Sequence, residues 1–209
     1  MENNLEEKLE MQQALITDAE IIEKINQQIS NKIEGEHDDS IMASCTVFSS
    51  SEDQKLQMTY IAFADLPSTH EERAKMFEGI GGRLVMEANQ NPVMALFMFE
   101  AWAASYESPE EQKEAYKKYG NSLQDHPESV EVFICSAMTL DGRSVYTTVP
   151  FSRDSSNNIV FEEFKELDED SIINPFLKDP KDESLVKDYN LSAFFAGVSI
   201  AAISMMLKN

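Results

Sequence analysis

The stretch Met94–Tyr106, MALFMFEAWAASY, sets large apolar side chains at successive positions instead of alternate ones. In a strand, Leu96, Met98, Glu100 and Trp102 fall on one face. Val93, Ala95, Phe97, Phe99 and Ala101 fall on the other. Both faces are apolar, which marks a central strand buried on two sides. Glu100 interrupts that pattern. A carboxylate in such a place needs a charged or hydrogen-bonding partner, or a raised pKa. Arg83, His126, Arg143 and Arg153 are the candidate partners.

The elements around this strand define the fold class. Residues 3–34 read as helical, with Thr17 and Glu20 at capping-box spacing and Ile22, Ile25, Ile29 and Ile33 forming one apolar stripe. Residues 41–48 and 56–65 read as two strands joined by a polar turn. A second helix opens near Pro67 and Ser68, with Ser68 and Glu71 as its capping box and Met76, Phe77, Ile80, Leu84 and Ala88 as its apolar face. Residues 108–120 form a short polar helix, with Ser108 as cap and Pro109 at its first position. The segments ESVEVFICSAMTL and RSVYTTVPFSRD flank Asp141-Gly142, a dipeptide suited to a tight primed turn, so they form a hairpin. A further strand, IVFEEF, follows, and a last helix starts near 184. The expected fold is α+β, with a mainly antiparallel sheet of about five to six strands and helices packed on it. The chain reads as a single domain over 1–209: a helical segment to 35, a sheet-containing core at 41–165 and an apolar helix at 184–207.

Charge narrows the function classes. Of 209 residues, 38 are acidic and 17 basic, a net charge of −21. Nucleic-acid affinity rests on Lys and Arg, and anionic membranes attract the same residues, so both partners are disfavoured. Basic proteins remain open as partners, as does mimicry of a nucleic acid. Cys45 and Cys135 form no disulfide framework and read as small core residues in a reducing compartment. The N-terminus lacks a basic and apolar leader, so a soluble, cytoplasmic protein is expected. Residues 191–207 carry no charge over seventeen positions, at the short limit of a membrane span. Serines and small residues favour a buried or oligomer-forming helix there, with a tail anchor as the alternative.

No motif calls for a cofactor or a metal. Gly79–Gly82, GIGG, lacks the strand–loop–helix setting of a phosphate loop and reads as a site of close helix packing against the sheet. His37, His70 and His126 have no second ligand at metal spacing, EHDD (36–39) reads as a solvated loop, and DEDS (168–171) lacks the pattern of a calcium loop. No serine has a nucleophile-elbow setting, and Cys135 has no base near it in sequence. Asp125, His126 and Glu128 cluster before the hairpin. They would lie beside Glu100 if strands 93–103 and 129–140 pair.

The pattern PVMALFMFEAWAAS followed by DHPESVEVFICSAMTLDGRSVYTTVPFSRDSSNNIVF resembles a set of uncharacterised bacterial and phage proteins over residues 56–164. Glu100, Ala101, Trp102, Glu131, Arg153 and Asp154 carry the likeness, with Gly79 or Gly82 as a matching helical glycine. It implies an α+β fold and supplies no catalytic residue.

These readings lead to a non-enzymatic accessory or binding protein, of the phage-encoded kind the resemblance suggests. It would act through protein–protein contacts, or self-associate through the C-terminal helix. The alternatives are an enzyme with a site at Glu100, Trp102 and His126, and an acidic mimic of nucleic acid. The binding residues expected are Glu100, Trp102, His126 and Arg153, with Glu100 held by Arg153 or Arg143.

Overall fold

The computed structural model describes residues 16–35, 40–51, 55–119, 123–173 and 189–207. The order is α1 (Asp18–Ile33), β1 (Ser44–Ser50), β2 (Leu56–Ala62), α2 (His70–Met86), β3 (Asn91–Ala103), α3 (Pro109–Tyr119), β4 (Val130–Thr139), β5 (Ser144–Arg153), β6 (Ile159–Phe161) and α4 (Tyr189–Met206). The strands form one six-stranded sheet in the order β2-β1-β3-β4-β5-β6, every neighbouring pair antiparallel. The architecture is α+β. β3, the strand apolar on both faces, lies inside the sheet between β1 and β4. The EHDD loop, residues 3–15 of the expected N-terminal helix and residues 184–188 lie outside the described residues.

Helices cover both faces. On one, Ile21, Ile22, Ile25 and Ile29 of α1 pack with Phe48, Met94, Leu96, Met98, Phe133, Val149 and Phe151. On the other, Phe77 and Val85 of α2 and Leu191, Phe194 and Val198 of α4 pack with Val47, Ala95 and Phe97. The two-sided burial of β3 is therefore met by one helix below and two above.

Local chemistry explains the boundaries. Thr17 and Glu20 form the expected capping box of α1: the Glu20 carboxylate accepts the Thr17 N–H at 2.8 Å, and the Thr17 hydroxyl accepts the Glu20 N–H at 3.3 Å. The α2 cap is Thr69, which accepts the Glu72 N–H at 3.2 Å; it displaces Ser68 by one position. Ser108 accepts the Glu111 N–H at 3.2 Å, and Pro109 opens α3.

The β4–β5 hairpin differs from the expected primed turn. Gly142 N–H donates to Thr139 O and Thr139 N–H to Arg143 O, both at 2.9 Å, and Gly142 alone in the loop has positive φ, 87°. This is a three-residue loop with its glycine in the left-handed region, not a two-residue turn with both central residues there. The β5–β6 loop repeats the geometry with Asn157 at φ 69°: Asp154 N–H donates to Asn158 O at 2.9 Å and Asn157 N–H to Asp154 O at 3.0 Å.

Gly79–Gly82 lies inside α2, and the close approach it allows is helix to helix, not helix to sheet. A Cβ on Gly81 would stand 2.3 Å from Phe194 O, and one on Gly197 would stand 2.0 Å from Glu78 O. No side chain fits at either position, so α2 and α4 touch backbone to backbone. No helix among the described residues is long and apolar enough to cross a membrane.

Candidate functional site

Glu100 lies near the end of β3, opposite Phe133 of β4, with Trp102 next on the same face and opposite Glu131. Glu131 in turn faces Phe151 of β5, whose same-face neighbour is Arg153. Three strands thus deliver Glu100, Trp102, Glu131 and Arg153 to one corner of the α1-covered face.

Arg153 makes its main contact with Glu131. Its Nε donates to both carboxylate oxygens at 3.0 Å, and its Nη2 donates to Glu131 Oε1 at 2.9 Å. Glu100 Oε2 lies farther off, 3.7 Å from the same Nη2, and accepts the Ile41 N–H at 3.1 Å. Arg153 also covers the Phe151 ring at 5.6 Å. The expected Glu100–Arg153 pair is present, but as the longer arm of a triad in which Glu131 holds the guanidinium. The other candidate, Arg143, is engaged elsewhere. It binds Asp18, donates to Asp141 at 3.0 Å and 3.1 Å, and donates to Ile16 O at 2.9 Å.

His126 is not brought to Glu100. Its ring meets Tyr106 at 5.7 Å and Tyr119 at 5.0 Å, both edge-on, and its Nδ1 accepts the Glu128 N–H at 3.2 Å. This aromatic cluster ties α3 to the entry of β4. Asp125 and Glu128 beside it are exposed. The structure therefore divides the four expected residues. Glu100, Trp102 and Arg153 share a corner, and His126 belongs to a second cluster with Tyr106 and Tyr119.

Chemically the corner is an ion-pair lock. One guanidinium is shared by two carboxylates, so Arg153 is already occupied as an anion binder. Trp102 and the Glu100 side chain, each 36% exposed, are the parts of this corner open to solvent. Cys135 is buried, and burial pushes its thiol well above the ordinary cysteine range, which suits a core residue and not a nucleophile. Among the described residues, no group of three His, Cys, Asp or Glu side chains is arranged to hold a metal ion.

Glu131, which the sequence marks only through the resemblance, is the main partner of Arg153. The signal lay in the hairpin register: a three-residue loop at 140–142 sets Glu131 across from Phe151, and so on the face of Arg153. The expected primed turn would have shifted the pairing by one residue and turned Arg153 to the opposite face.

A second surface stands out on the far side of the molecule. α4 has no charged residue over its length, and its outward positions include Ile200 and Ile203, each 57% exposed, and Met206. Beside them an open groove of about 370 Å³ runs between α2 and α4. Gly79, Gly82, Gly197, Met86 and Ile200 line it, together with the charged Lys75 and Glu78 of α2. No protein-family model, curated protein or solved structure matches the chain.

Proposed function

We propose that this chain is a non-catalytic binding protein that acts through protein–protein contacts, and that the outer face of α4 with its groove against α2 is the contact surface. The observation that carries the reading is the exposure of Ile200 and Ile203 on a helix with no charge, in a chain of net charge −21. Acidic surfaces keep a protein dispersed, and an uncharged apolar strip within one is the place where a partner gains most from burial. Gly79 supports the same reading. A Cβ there would meet nothing within 4 Å, so no packing among the described residues requires a mid-helix glycine that weakens α2. A partner helix approaching the groove closely would require it. The partner of best fit has an apolar face rimmed by Lys or Arg, which the negative field would draw in. The likeness to bacterial and phage proteins belongs to this proposal as the setting in which such an accessory protein would work.

The test is capture from host extract with the wild-type chain and with Ile200→Glu/Ile203→Glu. Both substitutions are at exposed positions and leave the fold intact, to be checked by circular dichroism. Wild type retaining a defined basic protein that the double variant loses is the expected result. A folded double variant that retains the same protein overturns this surface as the contact. Loss of capture on altering Trp102 or Glu131 instead would move the site to the β3–β5 corner.

A further inference from the structure

The sheet has two edges of unlike character. β6 spans three residues, Ile159–Phe161, whereas β2 spans seven, Leu56–Ala62. Natural edge strands are shielded by charge, proline, bulges or brevity, because their free N–H and C=O groups invite another strand. β2 has none of these: its sequence LQMTYIA carries no charge and no proline, and it pairs with β1 in unbroken register. Met58 and Tyr60 on it are 58% and 53% exposed.

The hydrogen-bond phase of β2 can be read from its ends. Lys55 O accepts the Ser51 N–H, and the Phe63 N–H donates to Ala43 O, each at 2.9 Å. Odd-numbered residues therefore turn their backbone groups toward β1, and Leu56, Met58, Tyr60 and Ala62 turn theirs outward. Among the described residues no strand lies beyond β2 to receive them.

We infer that two copies of this chain pair antiparallel through β2, about a two-fold axis at Thr59, and join two six-stranded sheets into one continuous sheet. Closed two-fold symmetry fixes the direction, because one strand edge that pairs with itself through backbone hydrogen bonds does so antiparallel. The outward set fixes the register. An axis at Thr59 pairs Leu56 with Ala62 and Met58 with Tyr60 of the second copy, so all four outward residues are matched. An axis at Met58 leaves Ala62 unmatched, one at Tyr60 leaves Leu56 unmatched, and a one-residue slip sets outward groups against inward ones. The two large apolar side chains that the strand exposes, Met58 and Tyr60, become cross-strand neighbours in a sulfur–aromatic contact. This surface is separate from the α4 face, so the two proposals stand or fall independently.

The experiment is analytical ultracentrifugation of the full chain at several concentrations and salt levels. A dimer that tightens with salt is expected, because salt screens the repulsion between two chains of −21 while leaving strand hydrogen bonds in place. Met58→Lys/Tyr60→Lys should abolish the dimer although it makes each copy less negative, which would strengthen any association limited by overall charge. Thr59→Cys supplies a second, independent readout. In the inferred register the two Thr59 residues form a non-hydrogen-bonded pair with Cα atoms about 4.5 Å apart, within disulfide reach. Oxidation should therefore yield a covalent dimer, and the native Cys45 and Cys135 are buried and do not compete. A wild type that stays monomeric throughout overturns the proposal. So does a dimer unaffected by the two lysines in a folded protein, or the absence of the Thr59→Cys cross-link. In each of these outcomes another occupant of the edge, such as a partner's peptide strand, becomes the reading to test.

Discussion

The two faces of the sheet are closed by different physics. α1 covers its face as a single amphipathic helix, and polar tethers hold it in place: Arg143 joins Asp18 and Ile16 O to Asp141, and the Asn26 side chain exchanges hydrogen bonds of 2.9 Å and 3.0 Å with the Leu167 backbone. The opposite face is closed by aromatic packing, with Phe77 and Phe97 rings 4.9 Å apart and Phe97 and Phe99 at 4.7 Å, and by the glycine contact between α2 and α4. A helix fixed by charged groups can hold its position with solvent beside it. Two helices fixed by backbone contact depend on shape alone, and that shape leaves the outer side of α4 uncharged and available.

The sharpest way to break this contrast is to add one methyl group where the backbones touch. Gly197→Ala places a Cβ 2.0 Å from Glu78 O, and Gly81→Ala places one 2.3 Å from Phe194 O. Neither neighbour is a side chain that can rotate away, so α4 must lift from α2. A loss of about 3 kcal/mol or more is expected in urea unfolding, at the upper end for overpacked sites because backbone is the obstacle. The Gly82→Ala control, whose added Cβ meets only Gly197 O at 3.7 Å, should cost far less. Equal costs at the three positions would show that the helices are not closed by shape.

On the α1 face the corresponding change is Arg143→Met. The Arg143 side chain is 13% exposed and serves two carboxylates and a carbonyl, so its removal leaves Ile16 O without the guanidinium and Asp141 with only the Thr139 hydroxyl and the residue-143 N–H as donors. A loss of about 2–3 kcal/mol is expected from the unpaired groups. Acid titration sharpens the assignment. Burial alone would raise the Asp141 pKa, but hydrogen bonds from Arg143 and Thr139 and the charge of Arg143 outweigh it and hold the group below the ordinary aspartate range. A depressed carboxylate stabilises the fold fully above its unfolded pKa, about 4, and that contribution disappears as the pH falls through the lower folded value. Wild type should therefore lose stability below about pH 4, and the gap between wild type and Arg143→Met should narrow there. A gap independent of pH would assign the cost of the substitution to lost packing and not to the clamp.

The same contrast separates what the sequence made legible from what it did not. The α1 face announces itself: an isoleucine stripe, a Thr17–Glu20 capping box and the alternation that puts Met98, Glu100 and Trp102 together are all local patterns. The class of fold and the central place of β3 follow from such patterns. Residue-level pairing does not, because it depends on loop geometry. The choice between a two-residue and a three-residue loop around Asp141-Gly142 moves Arg153 from one face of the sheet to the other, and with it the partner of Glu100. His126 shows the same limit. Proximity in sequence to β4 suggested company for Glu100, whereas Tyr106 and Tyr119, from the two ends of the β3–α3 excursion, claim its ring. The helix crossing was half legible: the glycines marked a close approach, but only tertiary structure names α4 as the element approached.

The smallest expected effect concerns Gly79, on the groove beside that crossing. Gly79 sits in the helix with open space where a Cβ would be. In the isolated chain Gly79→Ala should raise stability by about 0.5–1 kcal/mol, the ordinary helix preference of alanine over glycine, and thermal melting would detect the shift. If shape governs this face outward as well as inward, the same methyl group narrows the groove between α2 and α4 and weakens capture of the partner proposed for it. Stability and binding would then move in opposite directions at one atom. Greater stability with undiminished binding would leave the groove without a role and place the contact along the Ile200–Ile203 ridge alone.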